Sequence, residues 1–165
     1  MRVVPPQQMQ LGEQTIAAIR IDTRSRDDIP KILQGLQHLY TRPKLRNSMF
    51  DLLRTHIKAD KDADNSRPAM DLWKLFVMGI LRLDLNWDYD RLHEQVNHHK
   101  TIRQMLGHAD PFADDDQYSL QTIKDNVKLL TPELLDKINT LVVEEGQRVV
   151  KKKTHKCCMG GATPL

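Results

Sequence analysis

The stretch "MDLWKLFVMGILRLDL", residues 70–85, constrains the fold more than any other. Leu72, Leu75, Phe76, Gly79, Ile80 and Leu83 recur at helical spacing and predict a helix from about Met70 to Leu83. Trp73, Val77, Met78 and Leu81 place apolar side chains on its other sides. A helix apolar on most sides must be surrounded, so this one is expected at the centre of its domain. Asp71, Lys74, Arg82 and Asp84 interrupt the run. It is too short and too charged to span a bilayer, and no membrane partner is expected.

The remaining sequence supplies helices to surround it. Ser25 with Asp28 has the form of a capping box, with Pro30 in the first turn. Ile29, Ile32, Leu33, Leu36 and Leu39 then make one face, and "TRP" at 41–43 breaks it. Leu45, Met49, Leu52 and Leu53 mark a second helix. "KADKDADNSRP", 58–68, is a charged, breaker-rich link and the best internal boundary. Tyr89, Leu92 and Val96 mark a short helix, and Thr101 with Gln104 reads as a capping box for "TIRQMLG", which Gly107 stops. Leu120, Ile123, Val127 and Leu130 share a face. Thr131-Pro132-Glu133 opens a last helix carrying Leu134, Leu135, Ile138, Leu141 and Val142. "TIAAIRI", 15–21, alternates loosely, so any strand there is short. The expected fold is all-α, a multi-helix bundle in three segments: 1–65, 66–150 and a tail, 151–165.

Function is harder to read. The charge balance, 25 Lys+Arg against 22 Asp+Glu, is only mildly basic. The first 156 residues hold no cysteine, which fits a cytoplasmic location, and the N-terminus has no signal-peptide pattern. His93, His98, His99, His155, Cys157 and Cys158 show no C-x-x-C or H-x-x-x-H pair, so surface histidines are the better reading than a zinc site. "DPFADDD" is rich in oxygen ligands but lacks the glycine and closing glutamate of a calcium loop, so a solvated loop is preferred. No phosphate-binding glycine loop or nucleophile elbow occurs; no metal, cofactor or catalytic residue is expected.

Short helices joined by tight turns permit a helix-turn-helix-like arrangement for DNA binding. In "SLQTIKDNVKLL" the face opposite the apolar one shows Gln121, Lys124, Asp125 and Lys128. Glutamine can pair with adenine, and lysine with guanine or phosphate, whereas Asp125 would be repelled. On pattern alone an ordinary surface helix is the plainer reading, because no single basic face stands out. Arg148 and the run Lys151, Lys152 and Lys153 read equally as a DNA contact and as a solvated linker.

One stretch adds a resemblance. "RPAMDLWKLFVMGILRLDLNWDYDRLHEQVNHHKTIRQMLG", 67–107, resembles the helical N-terminal region of bacterial insertion-sequence transposases of the DDE class. The matching pieces are the apolar helix, "DYDRLHEQV" against "xDRxLEExV", and "TIRQMLG" against "xxRxxLG". "DDDQYSLQTIKDNVKLLTPELLDKI", 114–138, is similar to a second element of that region. The resemblance covers 66–150 well and the first 65 residues loosely. It implies double-stranded DNA at the ends of a mobile element as partner, in a bacterial, nucleoid-associated setting. A following RNase H-like domain would carry the catalytic acids and divalent metals. The matched residues lie upstream of that domain, so no catalytic residue carries over and this chain is expected to be inactive in cleavage. The alternative is an interaction fragment that pairs with full-length transposase, or with itself, and inhibits it without touching DNA.

The tail "KKKTHKCCMGGATPL" breaks the pattern of everything before it. It is expected to be disordered, to bind no metal, and to arise from a shift of reading frame. Read from the third base of the Cys157 codon, its codons force leucine first and glycine third and permit Leu-His-Gly-Arg-Cys-Asp-Ser-Phe. That run resembles the family's continuation toward its first catalytic aspartate. A genuine, poorly ordered C-terminus is the other reading.

Overall fold

The computed structural model describes residues 15–57, 70–111 and 117–157, with 149–157 described by backbone alone. Among them are seven α-helices and no strand: α1 (Ile29–Thr41), α2 (Pro43–His56), α3 (Leu72–Asp84), α4 (Tyr89–His98), α5 (Lys100–Met105), α6 (Leu120–Val127) and α7 (Pro132–Cys157). The all-α class is as expected. Residues 15–21 hold a single 3-10 turn, Ile16–Ala18, in place of any short strand. Ile16 and Ile19 are buried, and the Gln37 side-chain amide donates to the Ile16 and Ile19 carbonyls at 2.7 and 3.0 Å. The turn is thus a flap fastened to α1.

Local chemistry sets the boundaries. Pro43 starts α2 immediately after Arg42, which is extended as a residue before proline prefers. Gly107 stops the chain after α5 with φ +85°, a conformation costly for any residue with a Cβ. Thr131 caps α7 as expected, its Oγ1 accepting from the Leu134 N–H at 3.3 Å. Two expected capping boxes are corrected. Ser25 Oγ accepts from the Asp27 N–H instead of capping a helix, and α1 begins only at Ile29. The cap of α5 is His99 and not Thr101: its Nδ1 accepts from the Ile102 N–H at 3.3 Å. Serine and threonine are the usual caps, but the chain is already helical at Thr101, so only the residue before the helix can serve.

α3 lies at the centre. Leu72, Trp73, Leu75, Phe76, Val77, Met78, Gly79 and Leu81 are all buried. Leu83, expected on the inner stripe, is 45% exposed, although Leu81 in the same final turn is fully buried. Gly79 sits where Leu130 crosses α3; a Cβ there would collide with the Leu130 side chain. The two segments either side of 58–69 share one core, with Leu33, Met49 and Leu53 in the same cluster as Leu75, Leu92, Ile123 and Leu134. α7 lies along α2, where His56 Nδ1 donates to the Leu52 carbonyl and leaves Nε2 to accept from Lys137 Nζ at 2.8 Å. The boundary read at 150/151 falls inside α7, whose backbone stays helical to Cys157. Lysines are good helix formers, so a segment without an apolar pattern can still continue a helix already nucleated. Residues 158–165 lie outside the described ones.

Candidate nucleic-acid interface

The helix expected to face DNA is α6. Ser119 caps it, Oγ accepting from the Thr122 N–H at 3.2 Å, and Ile123 and Val127 are buried against α3 and α4. Asn97 near the end of α4 fixes the lead-in: its side-chain amide donates to the Tyr118 carbonyl at 3.0 Å and accepts from the Tyr118 N–H at 2.8 Å. The same tyrosine's hydroxyl meets His108 Nε2 at 2.8 Å. The orientation of α6 therefore depends on a part-buried polar clamp between α4 and residue 118.

The expected DNA-facing residues separate once placed. Gln121 is exposed, but its amide donates to Asp125 Oδ1 at 2.7 Å, so one of its N–H donors is already engaged within α6. Lys128 is exposed just past the end of α6, where a cation also favours the negative helix end. Lys124 is half-buried and leans over the ring of Tyr89, with Nζ 5.9 Å from its centroid. Arg148 lies on α7 and pairs with Glu145 at 3.6 Å, an exposed i,i+3 ion pair of little energetic weight. Glu145 also meets Arg42 of the α1–α2 turn at 3.9 Å. Lys151, Lys152 and Lys153 continue α7; their side chains lie outside the described ones.

Pattern reading missed Arg82. It stands in the last turn of α3 with its guanidinium 4.3 Å from the Tyr89 centroid, on the ring that Lys124 also approaches. Its only sequence signal is a charge inside an apolar run, which equally marks an ordinary helix end. Arg91 over Trp87 at 5.6 Å and Lys74 over Tyr118 at 5.9 Å repeat the motif of a cation held on a ring. Four cations from α3, α4 and α6 are thereby held in place by aromatic faces.

Several residues of the stretches that carry the family resemblance are placed as scaffold. Leu92 and Val96 are core, and Asp88 caps α4 by accepting from the Arg91 N–H at 2.7 Å. Arg103 of "TIRQMLG" is 1% exposed and donates Nη1–H to the Asn97 carbonyl at 3.3 Å. Trp73 Nε1–H donates to the Met105 carbonyl at 2.8 Å, tying α5 to α3. These positions hold the helices together.

The histidines and acids do not converge. His93 is half-buried, His98 exposed and His99 committed to its cap, and burial holds the His99 imidazole below its ordinary pKa. Among the described residues no group of three or more His, Cys, Asp or Glu side chains could hold a metal ion. His155 and Cys157 have undescribed side chains, and Cys158 and most of "DPFADDD" lie outside the described residues. No described helix is long and apolar enough to cross a membrane. An open cavity of about 300 Å³ lined by Arg20, Lys100, Thr101 and Gln104 lies beside α5, apart from the α6 surface. Comparison with protein-family models, with curated proteins and with solved structures gives no match.

Proposed function

We propose that this chain binds double-stranded DNA as the helical, DNA-binding and assembly region of a bacterial insertion-sequence transposase. The observation that carries the reading is the cationic edge of α6. Lys124 and Lys128 lie one turn apart and neither forms an ion pair among the described residues, on a helix whose opposite side is anchored in the core. The resemblance of 67–107 and 114–138 supplies the mobile-element context. The chemistry here is charge-based attachment to phosphates, with Gln121 available for a base edge only after it releases Asp125.

Fluorescence anisotropy with labelled duplex DNA over a salt series tests it. Changing Lys124 and Lys128 together to alanine should weaken binding and lower the slope of log affinity against log salt by roughly two. Affinity and slope unchanged in that double variant would remove α6 as the interface.

A second reading has its own observation. Leu83, Leu129, Val142 and Val143 are exposed apolar side chains, the last two adjacent on α7. They favour a chain that pairs with full-length transposase or with itself and inhibits by assembly alone. Sedimentation of the chain mixed with transposase, in the absence of DNA, separates the two readings.

A further inference from the structure

We propose that Arg82, Tyr89 and Lys124 form one composite contact for the phosphate groups of a duplex DNA backbone. The proposal rests on the DNA-binding reading above and names the part of the ligand that this surface takes. Three helices converge there: Arg82 comes from the last turn of α3, Tyr89 opens α4, and Lys124 comes from α6. The guanidinium lies 4.3 Å and the ammonium 5.9 Å from the same ring centroid.

Two cations on one aromatic ring repel each other, and the ring quadrupole offsets only part of that. An internal carboxylate would be the ordinary remedy. Among the described residues neither cation forms an ion pair, although Asp84, Asp88 and Asp90 are close in sequence. The Arg82 Nε–H is buried with no acceptor among the described residues. A guanidinium carries five donors, and this one makes no hydrogen bond to the described residues. A phosphate at this surface would offset the charge of the two heads and could accept from the guanidinium's other N–H groups.

The chemistry selects phosphodiester over base edges. Both cations are half-buried and held against a ring, so they present fixed charge at the surface and do not reach into a groove. Lys128, one turn beyond Lys124, continues the same edge toward a neighbouring phosphate.

The test uses the full chain and two labelled duplexes of unrelated sequence. Arg82→Gln and Lys124→Gln should each weaken binding to both duplexes by a similar factor and lower the salt slope by about one. Arg82→Lys should keep the slope, and Tyr89→Phe should keep both slope and affinity, whereas Tyr89→Leu should weaken binding. If Arg82→Gln alters the circular-dichroism melt, Lys124→Gln carries the test at a position that does not fill the core. Unchanged affinity and slope in both glutamine variants, with Lys128→Gln still weakening binding, would overturn the composite contact and leave the DNA reading standing. No duplex binding by the unaltered chain at any salt would overturn both. Arg82- and Lys124-dependent binding to phosphatidylserine vesicles without duplex binding would assign the phosphate to lipid and overturn the assignment to DNA.

Discussion

α3 and the outer half of α7 are both regular helix, yet they are held by different forces. α3 is 13 residues long with eight of them buried, so burial from every side stabilises it. α7 is 26 residues long, and of its described side chains only Leu134 and Ile138 are fully buried. Leu135 and Leu141 pack partly against the core, and then Val142 and Val143 are 37% and 48% exposed. Beyond that point intrinsic propensity and continuity with the docked turns sustain the helix, since a short isolated helix is marginal in water. Helical conformation alone therefore says little about where stability resides. The first kind of helix is a support enclosed by its neighbours; the second is anchored through its inner turns alone.

The strongest test of the contrast is Trp73→Ala in α3. It empties a site that is 2% exposed and leaves the Met105 carbonyl without its indole donor. A loss of about 3–5 kcal/mol is expected by denaturant titration. A loss below about 1 kcal/mol would mean that α3 is not the enclosed support described above.

α5 lies between the extremes, short but capped. His99 must be neutral to accept from the Ile102 N–H. Burial lowers its pKa from the usual 6.5, with the nearby Asp27 carboxylate opposing weakly. The unfolded chain therefore takes up the proton first as pH falls. Stability is fully present above about pH 6.5 and is lost as pH drops from there through the lower folded-state pKa. His99→Asn keeps a capping acceptor and should flatten the melting temperature against pH between about 7 and 5. A profile identical to the unaltered chain would place the acid sensitivity elsewhere.

The smallest effect belongs to outer α7. Apart from the adjacent residues and the backbone of α7 itself, no described atom lies within 4 Å of the position a Gly146 Cβ would take. Gly146→Ala should raise helix content, by roughly 0.5–1 kcal/mol of local preference, with little change in the cooperative unfolding midpoint. A midpoint shift of that full size would draw the outer turns into the same cooperative unit as α3 and erase the distinction.

Much of this was legible from local pattern. The all-α class, the enclosed α3, the breaks at Pro43 and Gly107 and the Thr131 cap all follow from spacing and from a few residues with restricted backbones. Period and propensity are properties of neighbouring residues, so the chain displays them directly. Misreadings arose where two local signals competed. Thr101 has the better capping side chain, but His99 holds the capping position; the tail lacks pattern, but helix continues through it to Cys157.

The candidate site was legible only in part. That Ile123 and Val127 face inward, and that the lysines of α6 lie away from them, follows from helical period alone. That Gln121 is engaged with Asp125, that Arg103 is buried scaffold, and that Arg82 shares Tyr89 with Lys124 were decided by tertiary structure. Arg82 and Lys124 stand 42 positions apart in sequence and on different helices. No spacing rule links them, because their proximity depends on how α3, α4 and α6 pack around a shared core.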